Sequence, residues 1–337
     1  MSFDASILAT LSRNERLSED ALRAALTSIL RGQAQSEQVS ALLLGLEMIG
    51  LSAREVRVGT EVMRANMVPV HIPGPVIDIV GTGGTGLHTL SISTATAIVC
   101  AAAGAKVAKH GNRAASSLTG TADTLSQLGV NLLVEPERVA EIAKDVGLGF
   151  LFAPNHHPAM RYVGPARRAL GIRTLFNMLG PMSNPAGASR MLLGVCDDSW
   201  RAPMAEALAD LGAEHVWVVH GHDGLDEITT TGPTHVSEVK DGAVRKFTVT
   251  PQEYGLDMAT LESLRGGEPA TNALALTELL DGQPSDYRDI VLLNAGAALL
   301  IAGVADDVPD GMDRAAEAID SGAARETLAR LVEATNA

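Results

Sequence analysis

The spacing of apolar residues divides the chain into two regimes. Over residues 1–66 the pattern is helical throughout. One helix is capped by Ser18, carries Leu22, Ala25, Leu26, Ile29 and Leu30 on a single face, and ends near Gly32. A second runs from about Ser36 with Val39, Leu42, Leu43, Leu46 and Ile49, and stops at Gly50. A third opens on Ser52-Ala53-Arg54-Glu55, where a hydroxyl and a carboxylate three residues apart can each accept an orphan backbone N–H, and carries Val56, Val58, Val62 and Met63. Three short amphipathic helices cannot each bury an apolar face alone. They must pack on one another, on the rest of the chain, or on a second copy.

Pro69, Pro73, Gly74 and Pro75 break the helical pattern and read as a linker. From residue 76 short apolar runs alternate with Ala-rich segments. Residues 76–80, 106–108, 148–152 and 215–220 read as strands, and residues 95–103 and 136–146 as helices. This alternation predicts a largely parallel sheet with both faces covered. Residues 234–249 read as an antiparallel hairpin turned at Asp241-Gly242. From residue 256 the pattern is helical again, and residues 292–304 are apolar enough for a buried helix.

Composition narrows the function classes. At 337 residues the chain can bury a large core and suggests two domains. A net charge of −14 disfavours nonspecific binding to nucleic acid or anionic membrane, and an aromatic content of 3% argues against stacking platforms for single strands. An anionic small molecule is still allowed, because a local basic cluster or a metal ion can override the mean field. Cys100 and Cys196 form no disulfide framework, and Cys100 falls within an apolar helical pattern that makes it a buried free thiol. The chain shows no basic start followed by an apolar stretch and no run approaching ~20 apolar residues, so a cytoplasmic protein is expected.

Two stretches carry chemistry. The first strand runs into Gly81-Thr82-Gly83-Gly84-Thr85, then His88-Thr89-Leu90-Ser91-Ile92-Ser93-Thr94 and a helix of small residues. Strand, glycine turn, hydroxyl cluster and helix start bring free N–H groups and the positive end of a helix dipole to one point, which suits a phosphate or diphosphate. A GTGG turn on its own is equally a structural turn. The second stretch, Lys109-His110-Gly111-Asn112-Arg113-Ala114-Ala115-Ser116-Ser117, follows the strand at 106–108 and concentrates cations, a glycine, an amide and hydroxyls in an acidic chain. Two such loops after successive parallel strands lie side by side, which favours one shared anionic ligand over two solvated loops. Asp226-Glu227, after Gly221-His222-Asp223-Gly224, offers adjacent carboxylates that read either as surface charge or as oxygen ligands for magnesium. Arg167 beside Arg168 reads as a helix-surface pair or as a bidentate carboxylate partner. His88, His110, His156 and His157 are candidates for orientation, and none is a compelling general base.

The loop KHGNRAASS, the earlier GTGG and HTLSIST, and the later HHPAMRYVGPARRALGIRTLFNMLGPMSNPA together closely resemble the anthranilate phosphoribosyltransferases, over nearly the whole chain. The resemblance implies an α/β fold of the nucleoside phosphorylase and phosphoribosyltransferase type. A small all-helical domain would comprise residues 1–72 with a returning segment at about 157–188, and a larger domain with a mainly parallel central sheet would comprise residues 73–156 and 189–337. It implies a homodimer through the N-terminal helices and a step of tryptophan biosynthesis. In that step the phosphoribosyl group of phosphoribosyl pyrophosphate moves to the amine of anthranilate, with magnesium as cofactor. The residues carried over as donor-binding are Gly81, Gly84, Thr85, Thr89, Ser91, Ile92, Ser93, Thr94, Lys109, His110, Gly111, Asn112, Arg113, Ala114, Ala115, Ser116, Ser117 and Thr121. Asn112 and Arg167 would meet anthranilate. Lys109, Asn112 and Arg167 carry the implied catalytic roles, and Ser93, Asp226 and Glu227 would hold magnesium. Three positions depart from the family pattern: Thr85 stands for an aspartate, Ser91 for an asparagine and Leu118 for a lysine. They leave open a donor site of altered affinity or metal demand, a diverged relative with another aromatic acceptor, or a non-catalytic relative that binds a ligand or nucleic acid.

Overall fold

The computed structural model describes residues 3–114 and 118–337. The N-terminal region is helical, as its periodicity predicts, with α1 (Ser6–Ser12), α2 (Glu19–Leu30), α3 (Ser36–Ile49) and α4 (Ala53–Ala65). The short α1 precedes the three helices that the apolar spacing marks. The Ser18 hydroxyl accepts from Ala21 N–H and so caps α2. At the start of α4, Glu55 accepts from Ser52 N–H at 2.9 Å and also pairs with Arg16 and Arg54, both at 2.9 Å. One carboxylate therefore closes the capping box and ties α4 to the loop before α2.

The rest of the chain runs β1 (Ile77–Gly81), α5 (Ile92–Ala102), β2 (Val107–Gly111), α6 (Thr121–Gln127), α7 (Pro136–Val146), β3 (Leu148–Phe152), α8 (Ala153–His156), α9 (Gly164–Leu170), α10 (Leu175–Met182), β4 (Arg190–Gly194), α11 (Asp198–Asp210), β5 (His215–Gly221), β6 (Thr234–Lys240), β7 (Ala243–Val249), α12 (Pro269–Leu280), α13 (Asp286–Ala302), α14 (Val308–Asp320) and α15 (Ala323–Asn336). The seven strands form one sheet in the order β3-β2-β1-β4-β5-β6-β7. The first five are mutually parallel, and β6 and β7 are antiparallel. The hairpin turns where the sequence predicts, with Asp241 and Gly242 at φ of 52° and 75°, the left-handed pair that matches strand twist.

Alternation along the strands sends side chains into two cores. Ile77, Ile79, Leu192, Trp217 and Val219 face a core shared with α5, α12, α13, α14 and α15. Met191, Leu193, Val216 and Val218 face the other, which they share with α1–α4, α9, α10 and α11. Val163, Ala166, Leu175, Phe176, Met178 and Leu179 thus pack with the N-terminal helices although they follow them by some hundred residues of chain. Gly59 of α4 lets this happen, because a Cβ there would press on Leu179 at 2.9 Å.

Three readings from the pattern change. β2 runs on through Gly111, so Lys109 and His110 are strand residues with buried side chains and the loop proper starts at Asn112. β4 is an additional strand of five residues, with a short apolar centre at Met191, Leu192 and Leu193, lying between the two that the pattern marks nearest to it. Residues 256–268 are not helical; they form local turns, and residues 264–266 pair with residues 88–90 after β1.

Glu55 makes stability sensitive to acid. Burial raises its pKa, but the hydrogen bonds from Ser52 and Arg54 and the charge of Arg16 outweigh this and bring it to about 2. The folded-state pKa lies below the unfolded value, so the contribution is complete above about pH 4.5 and is lost as pH falls toward 2. Glu55→Gln is expected to lower the unfolding free energy at pH 7 by roughly 1–3 kcal/mol and to flatten its decline in that window. Urea titrations at several pH values measure both. A variant with the wild-type slope would remove Glu55 from this role.

Candidate active site

The five parallel strands end on one edge of the sheet. β1 and β4 lie side by side there, although the chain visits β2 and β3 between them. The loops leaving β1 and β4 diverge at such a switch point and open a crevice. A cavity of about 380 Å³ lies at this edge. Every described residue that the resemblance carries over to the site lines it, whereas the candidates His156 and His157 do not. Gly81, Gly84, Thr85, Thr89, Ser91, Ile92, Ser93 and Thr94 come from the end of β1 through the start of α5. Lys109, His110, Gly111, Asn112, Arg113 and Ala114 come from β2 and its exit, and Thr121 opens α6. Arg167 comes from α9, and Asp226 and Glu227 from the β5–β6 connection. Ala115, Ser116 and Ser117 lie outside the described residues.

The glycines of the first turn do two different jobs. Gly83 and Gly84 have φ of 66° and 76°, a left-handed path that side chains resist. Gly81 is needed for space. It pairs in register with Gly194 of β4, and a Cβ on either would collide with Asp226. The Asp226 carboxylate then accepts from Gly83 N–H at 2.7 Å, which locks the carboxylate to the turn. Arg173 donates to Gly84 O at 2.8 Å from the other side. The start of α5 faces the cavity without a side-chain cap, because Ser91 Oγ is engaged by Thr124 Oγ1 at 2.7 Å and by Asn272 Nδ2 at 3.1 Å. In the second loop Asp123 accepts from the N–H groups of Ala114 and Gly120 and from Arg113.

Burial raises the pKa of Asp226, and burial together with the neighbouring Asp226 charge raises that of Glu227. Among the described residues neither carboxylate joins a salt bridge, and Ser93 hydrogen-bonds Glu227. Lys109 donates from Nζ to Ile79 O, and its charge lies close to both carboxylates and to Asp78. A half-buried pair of acidic side chains with one nearby lysine is short of positive charge. Two carboxylates and a hydroxyl are the hard oxygen donors that magnesium takes, with water or ligand oxygens completing its shell. The described residues contain no group of three or more His, Cys, Asp or Glu arranged to hold a metal. The residues present fit that ion.

Asp78, beneath the floor, is fully buried and pushed up to about 6 by burial, and it accepts from His110 N–H and Asn184 Nδ2. Arg167 is half-buried and donates to Asn177 Oδ1 at 3.1 Å; the same oxygen accepts from Thr174 N–H and so caps α10. This pins the guanidinium to the cavity wall, whereas Arg168 is exposed. Of the three departures, Thr85 Oγ1 accepts from Leu87 N–H, Ser91 is bound as described, and Leu118 is half exposed at the rim. Thr119, Phe176, Asn177, Gly180 and Gly267 also line the cavity. No local signal marks Gly267, which reaches the site through a fold-level crossing, whereas Thr119 lies in the second loop between Ser117 and Thr121.

Comparison with known proteins places this architecture among glycosyl transferases. The family model described as glycosyl transferase family, a/b domain, matches residues 73–325, and that of the helical bundle domain matches residues 5–67. The chain is 53% identical over 331 residues to an anthranilate phosphoribosyltransferase of Parvibaculum lavamentivorans, covering 98% of this chain and 97% of that one. It is 48% identical to that of Rhodopseudomonas palustris, covering 98% of each. The crystal structure of the Thermus thermophilus enzyme superposes with a TM-score of 0.93 at 42% identity, covering 98% of this chain and 99% of that one. The Saccharomyces cerevisiae enzyme in complex with PRPP and Mg superposes with a TM-score of 0.90 at 29% identity, covering 99% and 98%. The chain belongs to the anthranilate phosphoribosyltransferase family.

Three histidines at the back of the site are buried neutral. Burial lowers the pKa of His110 and His156 and brings that of His157 to about 4. Each leaves its Nε2 without a partner among the described residues. The unfolded chain takes up protons near pH 6.5 and the folded one resists, so stability present above pH 6.5 is lost as pH falls toward 4. For His157 alone the loss is expected to reach roughly 2 kcal/mol at pH 5. His157→Asn should show a smaller drop in urea midpoint between pH 7 and pH 5 than the wild type. Equal drops would show that His157 does not titrate in this window.

Proposed function

We propose that this protein transfers the phosphoribosyl group of phosphoribosyl pyrophosphate to the amine of anthranilate, with magnesium, as a step of tryptophan biosynthesis in the cytoplasm. The observation that carries this reading is the convergence of two glycine-and-hydroxyl loops, an α-helix start, a carboxylate pair and Arg167 on one cavity at the switch point of the sheet.

Displacement at the sugar carbon builds positive charge on ribose and negative charge on the departing diphosphate. The first turn and the start of α5 present N–H groups and the hydroxyls of Ser93 and Thr94 to that anion. Asp226, Glu227 and Ser93 would hold magnesium, which would supply positive charge against the diphosphate, and Lys109 keeps the two carboxylates from repelling each other out of position. Arg167 and Asn112 take the carboxylate and ring of the acceptor on the opposite wall. The amine of anthranilate is neutral near pH 7 and needs no proton removed before attack, so orientation carries most of the rate.

The helical unit is residues 1–72 with about 157–188, a division supported by the core that α9 and α10 share with α1–α4. Two copies meet through the N-terminal helices, for which Leu44 and Met48 on α3 offer exposed apolar surface, 42% and 76% accessible. No helix among the described residues is long and apolar enough to cross a membrane.

Loss of anthranilate fluorescence on adding phosphoribosyl pyrophosphate and magnesium tests the reaction. Steady decay supports it, and no decay at high enzyme concentration rejects anthranilate as the acceptor. Arg167→Ala should raise the acceptor KM by about 10- to 100-fold and change the donor KM by less than about threefold. Equal effects on both constants would remove Arg167 from the acceptor wall.

A further inference from the structure

The segment between β7 and α12 crosses back under the first turn. Leu90 N–H donates to Leu264 O at 2.9 Å and Gly266 N–H to His88 O at 2.8 Å, while Thr89 and Arg265 form an antiparallel bridge. Residues 264–267 are therefore a short strap paired with residues 88–90. Its far end reaches the second loop, where Thr119 Oγ1 donates to Gly267 O at 2.6 Å. One strap of backbone thus touches both loops that line the cavity, and Gly267 is itself part of the wall.

Asn272, in the first turn of α12, locks this strap. It is 1% exposed, and both ends of its amide are hydrogen-bonded here. Its Oδ1 accepts from Gly267 N–H at 2.9 Å, and its Nδ2 donates to Ser91 Oγ at 3.1 Å and to Thr89 O at 3.4 Å. A Cβ on Gly266 would lie 2.5 Å from Thr89 O and 2.6 Å from Asn272 Oδ1, so the three backbones meet with no room for a side chain. A buried amide bonded at both ends has one geometry, and removing it leaves a buried N–H and a hydroxyl short of partners.

We infer that Asn272 is a positioning residue for the donor site. It acts through the 264–267 strap to hold the β1–α5 and β2–α6 loops at the separation a diphosphate needs. This rests on the functional reading above. Asn272 bonds Thr89 and Ser91 of the first loop and Gly267 of the strap, the strap meets the second loop at Thr119, and neither touches Asn112 or Arg167, so the effect falls on the donor.

The test measures both KM values and the thermal midpoint of the full-length protein. Asn272→Ala is expected to raise the KM for phosphoribosyl pyrophosphate about tenfold or more, with the anthranilate KM within about threefold of wild type. Gly266→Ala, which wedges the strap away from Thr89, and Thr119→Val, which cuts its second tie, are expected to move the same constant in the same direction. Where Asn272→Ala does not fold, these two decide by the same criterion. Both KM values rising together, or a lower thermal midpoint with both unchanged, would overturn the inference and leave Asn272 a structural residue. A wild-type protein that neither turns over this donor nor gains thermal stability from it would strike the functional reading first. A wild type that does, with variants that keep its donor KM, would strike only the strap.

Discussion

Close approach of backbones at the ends of β1 and β4 is the constraint on which the site depends. Gly81 and Gly194 sit opposite each other, and the chain carrying Asp226 passes over both at a distance no side chain allows. The carboxylates are therefore brought against the sheet edge, where burial raises their pKa and Gly83 N–H fixes one of them. From that contact follow the shape of the glycine turn, the inward course of Lys109 and the demand for positive charge in the cavity.

Local chemistry was readable wherever a residue's role is set by its neighbours in sequence. The cap at Ser18, the box at Ser52 and Glu55, the Asp241-Gly242 turn and the two glycine-and-hydroxyl loops are of this kind. Resemblance to a family added Asp226, Glu227 and Arg167, which spacing alone leaves as surface charge. What the pattern hid depends on crossings. Lys109 and His110 look like loop residues because they are polar, yet they finish a strand whose neighbours bury them. Gly194 looks like the end of any apolar run until Asp226 is placed above it. Residues 256–268 have helical composition but bond in local turns and, through Ala259 and Gly266, to other segments. Asn272 carries no signal, since its three partners are Gly267, Ser91 and Thr89, two of them nearly two hundred residues away.

The C-terminal helices hold the cavity although few of their atoms face it. Besides Asn272, Tyr287 at the start of α13 donates its hydroxyl to Ser91 O at 3.0 Å. Two turns further along α13, Asn294 is fully buried and brackets Ile228, accepting from its N–H at 3.0 Å and donating to its O at 2.7 Å. Ile228 follows Glu227 directly, so this amide sets the exit direction of the carboxylate pair. Polar side chains inside an otherwise apolar layer act here as fixed pins for three separate loops.

Arg173 bears on how the two walls communicate. It precedes α10, whose apolar residues pack with the N-terminal helices, yet its guanidinium grips the carbonyl of Gly84. Four residues further along the same segment, Asn177 grips Arg167. A rocking of the helical layer over the sheet would pull on the glycine turn and on Arg167 through one short lever, carried by a stretch of five residues.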